Sequence, residues 1–280
     1  MRQTKIVLVI AAAATMLMAC GKTQNFSNVT STPVAGVYGG SEVIPADPIN
    51  SSIVALYSTD EGFLCTGSIL TNDLILTAGH CIAKSPSKMV VIFGSKMIEN
   101  QKLAPGAIVR KAINGLHHPD YIPNVMKATM MNDVGLIRFD GGLPAGYKPA
   151  TVLVNYKAHI QNGTPVVMAG YGISNVLFKS GAGTLRKVNL SVSDANFSAA
   201  EASISQGVSK GICEGDSGGP SYLQANGKYL LWGVTSRGAG LFTLAPCIFS
   251  SVYTRVDYYW SWFQTAATQM GSSLPAMPLN

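Results

Sequence analysis

Charge is scarce in this chain. Of its 280 residues only 12% are Asp, Glu, Lys or Arg, about half the ~25% of an average soluble domain. Glu, Lys and Arg are too few for long heptads, which excludes an extended coiled coil. With 47% hydrophobic residues the chain is also unlike the poorly hydrophobic, highly charged sequences that stay disordered. Acidic residues are absent from the first 36 positions, where Arg2, Lys5 and Lys22 carry the only formal charges. From residue 37 onward 17 basic residues stand against 14 acidic ones, with no basic run and no basic-aromatic interleaving. Half of the formal +6 therefore belongs to the amino-terminal segment, and nucleic acid is not an expected partner. A membrane-length apolar run is lacking as well. Ile6 to Met18 rises only about 20 Å as a helix against a bilayer core of about 30 Å, so behind the positive Met1 to Lys5 it reads as a signal-peptide core.

That run ends in Leu17-Met18-Ala19-Cys20-Gly21, which resembles the bacterial lipobox. There, cleavage leaves an amino-terminal cysteine carrying lipid on its sulfur; the other reading is an ordinary cleavage site beside a free cysteine. Gly21 is not the aspartate associated with inner-membrane retention, so the resemblance implies an outer-membrane lipoprotein. Residues 1-19 are expected to be a signal peptide and 20-36, rich in Ser, Thr, Asn and Gln, a lipidated tether or propeptide. The chain holds five cysteines. Assigning Cys20 to the lipid leaves Cys65, Cys81, Cys213 and Cys247, an even set suited to an oxidising compartment.

Turn formers are plentiful, with 29 Gly and 14 Pro. Between them recur short apolar runs of strand length: Ile53 to Tyr57, Leu74 to Leu76, Met89 to Phe93, Ala107 to Val109, Val134 to Phe139, Val166 to Met168, Tyr229 to Val234 and Val252 to Val256. Strands without intervening helical patterns predict an all-β sandwich or barrel. One helix is expected at the end, over about 257-269, with Asp257 placed to cap it and Val256, Tyr259 or Trp260, Phe263 and Ala267 on one face. Gly141 to Pro149 is a candidate joint between two halves.

Three segments carry the chemistry. Thr77-Ala78-Gly79-His80-Cys81 follows an apolar run, Asn132-Asp133-Val134-Gly135-Leu136-Ile137 begins another, and Gly215-Asp216-Ser217-Gly218-Gly219-Pro220 lies in the second half. A lone histidine before a cysteine says little. Three glycines around one serine say more, because the backbone must turn tightly, expose the hydroxyl and aim unobstructed N–H groups at a substrate oxygen. The ordered set His, Asp, Ser resembles the chymotrypsin/trypsin family of serine endopeptidases, from about Val37 to the terminal helix.

The resemblance implies two six-stranded antiparallel β-barrels, at about 37-142 and 150-256, with the active site in the cleft between them. It makes Ser217 the nucleophile, His80 the general base and acid, and Asp133 the residue that orients the imidazole. The N–H groups of Gly215 and Ser217 would form the oxyanion hole. No cofactor and no metal is implied, and Gly94 to Ala107, with the single acid Glu99, does not match the calcium loop of trypsin. Cys65 would pair with Cys81 and Cys213 with Cys247. His117, His118 and His159 are expected to be structural or surface residues.

Val37-Tyr38-Gly39-Gly40 resembles the mature amino terminus of the family, whose ammonium pairs with the aspartate before the nucleophile, here Asp216. This implies a zymogen cut between Gly36 and Val37, by an activating protease other than a trypsin, and release from a lipid on Cys20. Gly211, six before Ser217, would form the floor of the primary specificity pocket where trypsin-like enzymes carry aspartate. Ile212, Ser236, Gly238 and Ser251 would complete it, with Arg237 replacing the usual tryptophan. Such a pocket is expected to favour an uncharged, apolar P1 residue. The expected partners are protein or peptide substrates, and the expected location is outside the cell or at the outer membrane. The competing class is a non-catalytic binding or adhesin lipoprotein on a protease fold.

Overall fold

The computed structural model describes residues 37–100, 102–123, 130–207, 209–238 and 247–277. The expectations placed on Cys20, the signal peptide and the tether lie outside the described residues. So does Gly36, on one side of the expected cut.

Six strands form a first closed barrel: β1 (Ile53–Ser58), β2 (Leu64–Ile69), β3 (Leu74–Thr77), β4 (Met89–Phe93), β5 (Ile108–His117) and β6 (Gly135–Phe139), paired in the order β1-β2-β3-β6-β5-β4. Six more form a second: β7 (Pro165–Gly170), β8 (Arg186–Ser198), β9 (Glu201–Ser205), β10 (Pro220–Ala225), β11 (Lys228–Gly238) and β12 (Ser250–Arg255). Their order is β7-β8-β9-β12-β11-β10, closed by β10 against β7. The two barrels therefore share one antiparallel topology, as the family resemblance implies. Two short strands attach to the second barrel, Ser41–Glu42 on β8 and, parallel, Thr151–Val152 on β11.

The apolar runs read from the sequence lie within or across these strands, and burial explains why. All four residues of Leu74–Thr77 are buried, as expected of a strand covered on both faces. The long β8 was not expected. Val188, Leu190 and Val192 point inward while Asn189, Ser191 and Ser193 are exposed, the two-residue period of a half-buried strand. The first barrel packs Phe93, Phe139, Ile75 and Leu76 at its centre; the second packs Val37, Met168, Trp232 and Tyr253.

The terminal helix enters through a 3-10 turn, Asp257–Tyr259, before the α-helix Trp260–Gln269, which buries Trp260, Phe263, Ala266 and Ala267. Asp257 does not cap it. Both of its carboxylate oxygens accept hydrogen bonds from Arg255, at 3.1 and 2.7 Å, a charge-assisted pairing that outcompetes a single N-cap bond. No helix among the described residues is long and apolar enough to cross a membrane.

Candidate active site

His80 sits on a 3-10 turn, Gly79–Cys81, directly after β3. The turn is anchored by a disulfide from Cys81 to Cys65 on β2, with Cα atoms 6.1 Å apart. Asp133 arrives just before β6 and is 1% exposed. A Cβ on Gly79 would stand 3.2 Å from the Asp133 carboxylate, so a larger residue there would crowd the carboxyl group. Asp133 Oδ1 accepts from the His80 backbone N–H at 3.0 Å. Its Oδ2 faces His80 Nδ1 at 2.9 Å and accepts from Ser236 Oγ at 2.7 Å. A carboxylate only accepts, so Nδ1 carries the ring proton and leaves Nε2 as the basic nitrogen.

Burial pulls the imidazole pKa down, but the charge and hydrogen bond of Asp133 outweigh it and leave His80 above its ordinary value. Burial pushes the Asp133 carboxyl up, and the His80 charge with bonds from His80 and Ser236 brings it below the usual range. The His80 side chain keeps 33% of its surface open.

Ser217 lies on a tight turn before β10. Gly215 at φ +94° and Gly218 at φ +77° adopt left-handed backbone that L side chains rarely tolerate. A Cβ on Gly218 would come within 2.0 Å of Thr77 Oγ1 and 2.9 Å of Ala78 N, so this turn is packed against the chain leading into His80. Both barrels hold it. Thr66 of β2 donates its N–H to Ser217 O and its hydroxyl to Gly215 O, each at 2.8 Å, and Gly218 N donates to Thr235 O of β11 at 2.8 Å. The Glu214 carbonyl accepts from Ile173 N at 2.8 Å. Across a planar trans peptide the N–H points opposite to the carbonyl, which turns the Gly215 N–H away from Ile173.

Ser217 is half-buried and lines a cavity of about 140 Å³ together with Gln206, Ile212, Cys213, Glu214, Thr235, Ser236, Arg237, Gly238 and Cys247. Ile212, Ser236 and Gly238 are therefore brought together as the sequence suggested. Gly211 and Ser251 are not among the lining residues. The direction a Gly211 side chain would take is filled by the Tyr38 hydroxyl and the Gln206 amide, at 2.4 and 2.8 Å from its would-be Cβ. Ser251 is fully buried between its strand partners Ile204 and Gly238. Gln206, which no sequence pattern singled out, lines the cavity instead. Its Oε1 accepts from Ile212 N at 2.6 Å and its Nε2 donates to Cys247 O at 2.9 Å. Cys213 and Cys247 form the second disulfide, Cα atoms 5.0 Å apart.

Val37 is fully buried, and the Tyr38 carbonyl accepts from Gly211 N at 2.9 Å. Asp216 is also fully buried. Burial pushes its carboxyl up to about 7, against the opposing bonds from the N–H groups of Cys213 and Gly172 and the charge of Arg186. His117 and His118 face Tyr121, Tyr259 and Trp262, and His159 ends a short helix, Tyr156–His159; no hydrogen bond described here joins any of the three to the site. Cys65, His80 and Cys81 lie within ligating distance of one another, but the disulfide consumes both thiolates that a metal would need.

The chain is similar to known proteins over most of its length. A family model described as Trypsin matches residues 40–263. Brachyurin of Leptuca pugilator is 27% identical over 238 residues, covering 82% of this chain and 97% of its own. Trypsin Blo t 3 of Blomia tropicalis is 31% identical over 219 residues, 71% of this chain and 76% of its own. Chymotrypsin-like elastase family member 1 of Canis lupus familiaris is 29% identical over 212 residues, 71% of this chain and 79% of its own.

Proposed function

The chain belongs to the trypsin family of serine peptidases, and from that premise we propose an exported endopeptidase that uses Ser217, His80 and Asp133 as its catalytic triad. The observation that carries the reading is the hydrogen-bonded set His80, Asp133 and Ser236, whose last member lines one cavity with Ser217. In the proposed reaction His80 Nε2 takes the Ser217 hydroxyl proton as Oγ attacks the scissile carbonyl carbon. The oxyanion forms against the N–H groups of Gly215 and Ser217, where one donor is typically worth about 3–4 kcal/mol. His80 then protonates the departing amine. An acyl-enzyme remains, which water hydrolyses with His80 again acting as base. Asp133 holds the ring in the required tautomer and stabilises the imidazolium.

We read the chain as a zymogen cut between Gly36 and Val37. The raised Asp216 carboxyl supports this, because a buried acid near 7 gains most from a new ammonium beside it. Residue 36 being Gly rather than Lys or Arg points to an activator that is not trypsin-like. The same cut would detach the enzyme from a lipid on Cys20. Amino-terminal sequencing of the active form should begin at Val37, and any other start would overturn this part.

The relatives bear the names of trypsins, chymotrypsins and elastases, so P1 preference has to come from the cavity itself. Gln206 lines it with an amide committed to backbone groups, and Glu214, which also lines it, is exposed and pairs with Lys179. With no free carboxylate lining the cavity among the described residues, a lysine or arginine side chain would lose its hydration without compensation. Fluorogenic peptides ending in Phe, Leu or Ala should be cleaved faster than an arginine analogue by the wild type and not at all by Ser217→Ala. Faster turnover of the arginine substrate would reverse the assignment.

A further inference from the structure

Beneath the triad lies a buried ion pair. The Arg237 side chain is 4% exposed and that of Glu201 fully buried. The guanidinium grips the carboxylate with two nitrogens, Nη1 on Oε1 at 2.7 Å and Nη2 on Oε2 at 3.1 Å. Arg237 Nη1 also donates to Ser236 Oγ at 3.3 Å, and Ser236 Oγ is the group that donates to Asp133. A bulge makes this reach possible. The register of β11 on β12 jumps from Thr235↔Tyr253 to Arg237↔Val252, which leaves Ser236 as the extra residue and re-aims consecutive side chains that regular alternation would separate.

Glu201 holds a second thread. Its Oε1 accepts the backbone N–H of Met131 at 3.3 Å, two residues before Asp133, and its Oε2 accepts the Ser198 hydroxyl at 3.1 Å. One carboxylate thus ties the segment that delivers Asp133 to the strand that delivers Ser236.

We propose that Glu201 and Arg237 are positioning residues for the catalytic acid-base pair: the guanidinium fixes the direction of the Ser236 hydroxyl, and the carboxylate fixes the guanidinium. The reasoning is one of proton count and rests on the proposed triad. A guanidinium has donors only, and a serine hydroxyl has a single proton. With Arg237 donating into its oxygen, Ser236 directs that proton to Asp133 Oδ2, and the string runs one way, Arg237 to Ser236 to Asp133, with His80 donating from the other side. A tryptophan at this place, usual in the family, has one neutral N–H and could not both grip Glu201 and donate to Ser236. Two opposite charges are used because a lone buried charge at that depth would be strongly unfavourable. Among the described residues, Tyr121 feels the charge of Asp133 and Tyr259 the charges of Glu201 and Asp133, with Asp120, Tyr258 and His118 set around Tyr259. Burial first, then neighbouring carboxylates, pushes both tyrosines up, Tyr121 to about 12, so they stay neutral.

The test is the titration of the His80 Nδ1 proton by NMR in the activated chain, cut before Val37, alongside kcat and KM. Removing the cation with Arg237→Met should raise the His80 midpoint and removing the anion with Glu201→Gln should lower it. Each shift should be about one pH unit, the size expected for a full charge roughly 10 Å away at an effective dielectric of about 20. Each should lower kcat about 10-fold; KM for a small ester should stay unchanged in Glu201→Gln, whereas Arg237 lines the cavity and its variants move KM as well. Arg237→Lys, which keeps charge and a donor, should recover most of kcat. If single variants do not fold, the neutral pair Glu201→Leu with Arg237→Met decides. It should fold and titrate as the wild type yet retain the 10-fold loss. Wild-type kcat in that double variant, or unmoved midpoints in folded single variants, would overturn the proposal. Absence of turnover in activated wild type would instead overturn the endopeptidase reading, while the titration still decides the positioning role.

Discussion

The two barrels share a strand order and differ in what they bury. In the first, Asp133 is the only fully buried charged residue among the described positions, and its other buried polar side chains, such as Ser58, Thr66, Ser68 and Thr77, are neutral hydroxyls within a mostly apolar interior. The second buries Arg186, Glu201, Asp216, Arg237 and Arg255. Its ladders break register in β8–β9, β10–β11 and β11–β12, against one break in the first barrel, in β5–β6. Apolar packing is indifferent to pH and to chain cleavage. Buried charge is not, because each ion needs its partner. The proposed base and its orienting acid thus sit on the half with the least buried charge, and the proposed nucleophile and the cavity on the half that carries most of it.

That contrast can be broken in order of effect. Asp133→Asn should lower kcat about 10⁴-fold, with KM nearly unchanged and the fold intact by circular dichroism; a loss under tenfold would remove Asp133 from the triad. Phe93→Ala, in the first barrel against Phe139 and Tyr147, should lower stability by about 3–5 kcal/mol, equally at pH 5 and pH 8 in denaturant titrations. Asp216 should behave in the opposite manner. Its carboxyl is raised in the folded chain, so the folded state holds the proton more tightly than the unfolded one. In the uncut chain its contribution is therefore fully favourable below about pH 4 and is lost as pH rises through about 7, by up to about 4 kcal/mol. Asp216→Asn should flatten that slope, as should cleavage before Val37. The smallest effect belongs to the exposed Lys179–Glu214 pair. Lys179→Ala should change stability by less than about 1 kcal/mol while altering access at the cavity rim, seen as KM changes for long peptides only.

The acid limb of kcat/KM follows from His80 and Asp133. His80 must be neutral to accept a proton, and it lies above its ordinary value of 6.5. Activity should therefore rise with pH through a midpoint above 6.5.

The first barrel was the more legible in the sequence because its strands are mostly short apolar runs. Met89–Phe93 and Ile53–Ser58 are apolar runs that can only be strands, and the His80, Asp133 and Ser217 segments carry their own turn chemistry. β8 was unreadable because its outward face is Asn and Ser, which resembles a loop until the inward Val188, Leu190 and Val192 are seen to alternate. Gln206 carries no pattern, since one amide acquires its role only when the fold brings Cys247 to it across 41 positions. Arg237 was visible as a departure from the family, but its partner Glu201 was not. The Asp257 cap failed on competition, because Arg255 offers a stronger bond two residues away.

The central claim is that the turn of the second barrel presents a serine activated by the first. Its most direct test is fluorophosphonate labelling of the chain beginning at Val37, with the adduct located by peptide mass. One adduct per molecule is expected on the peptide containing Ser217, absent from Ser217→Ala and strongly slowed in His80→Ala. Undiminished labelling of Ser217→Ala, or none in the cleaved wild type, would contradict it.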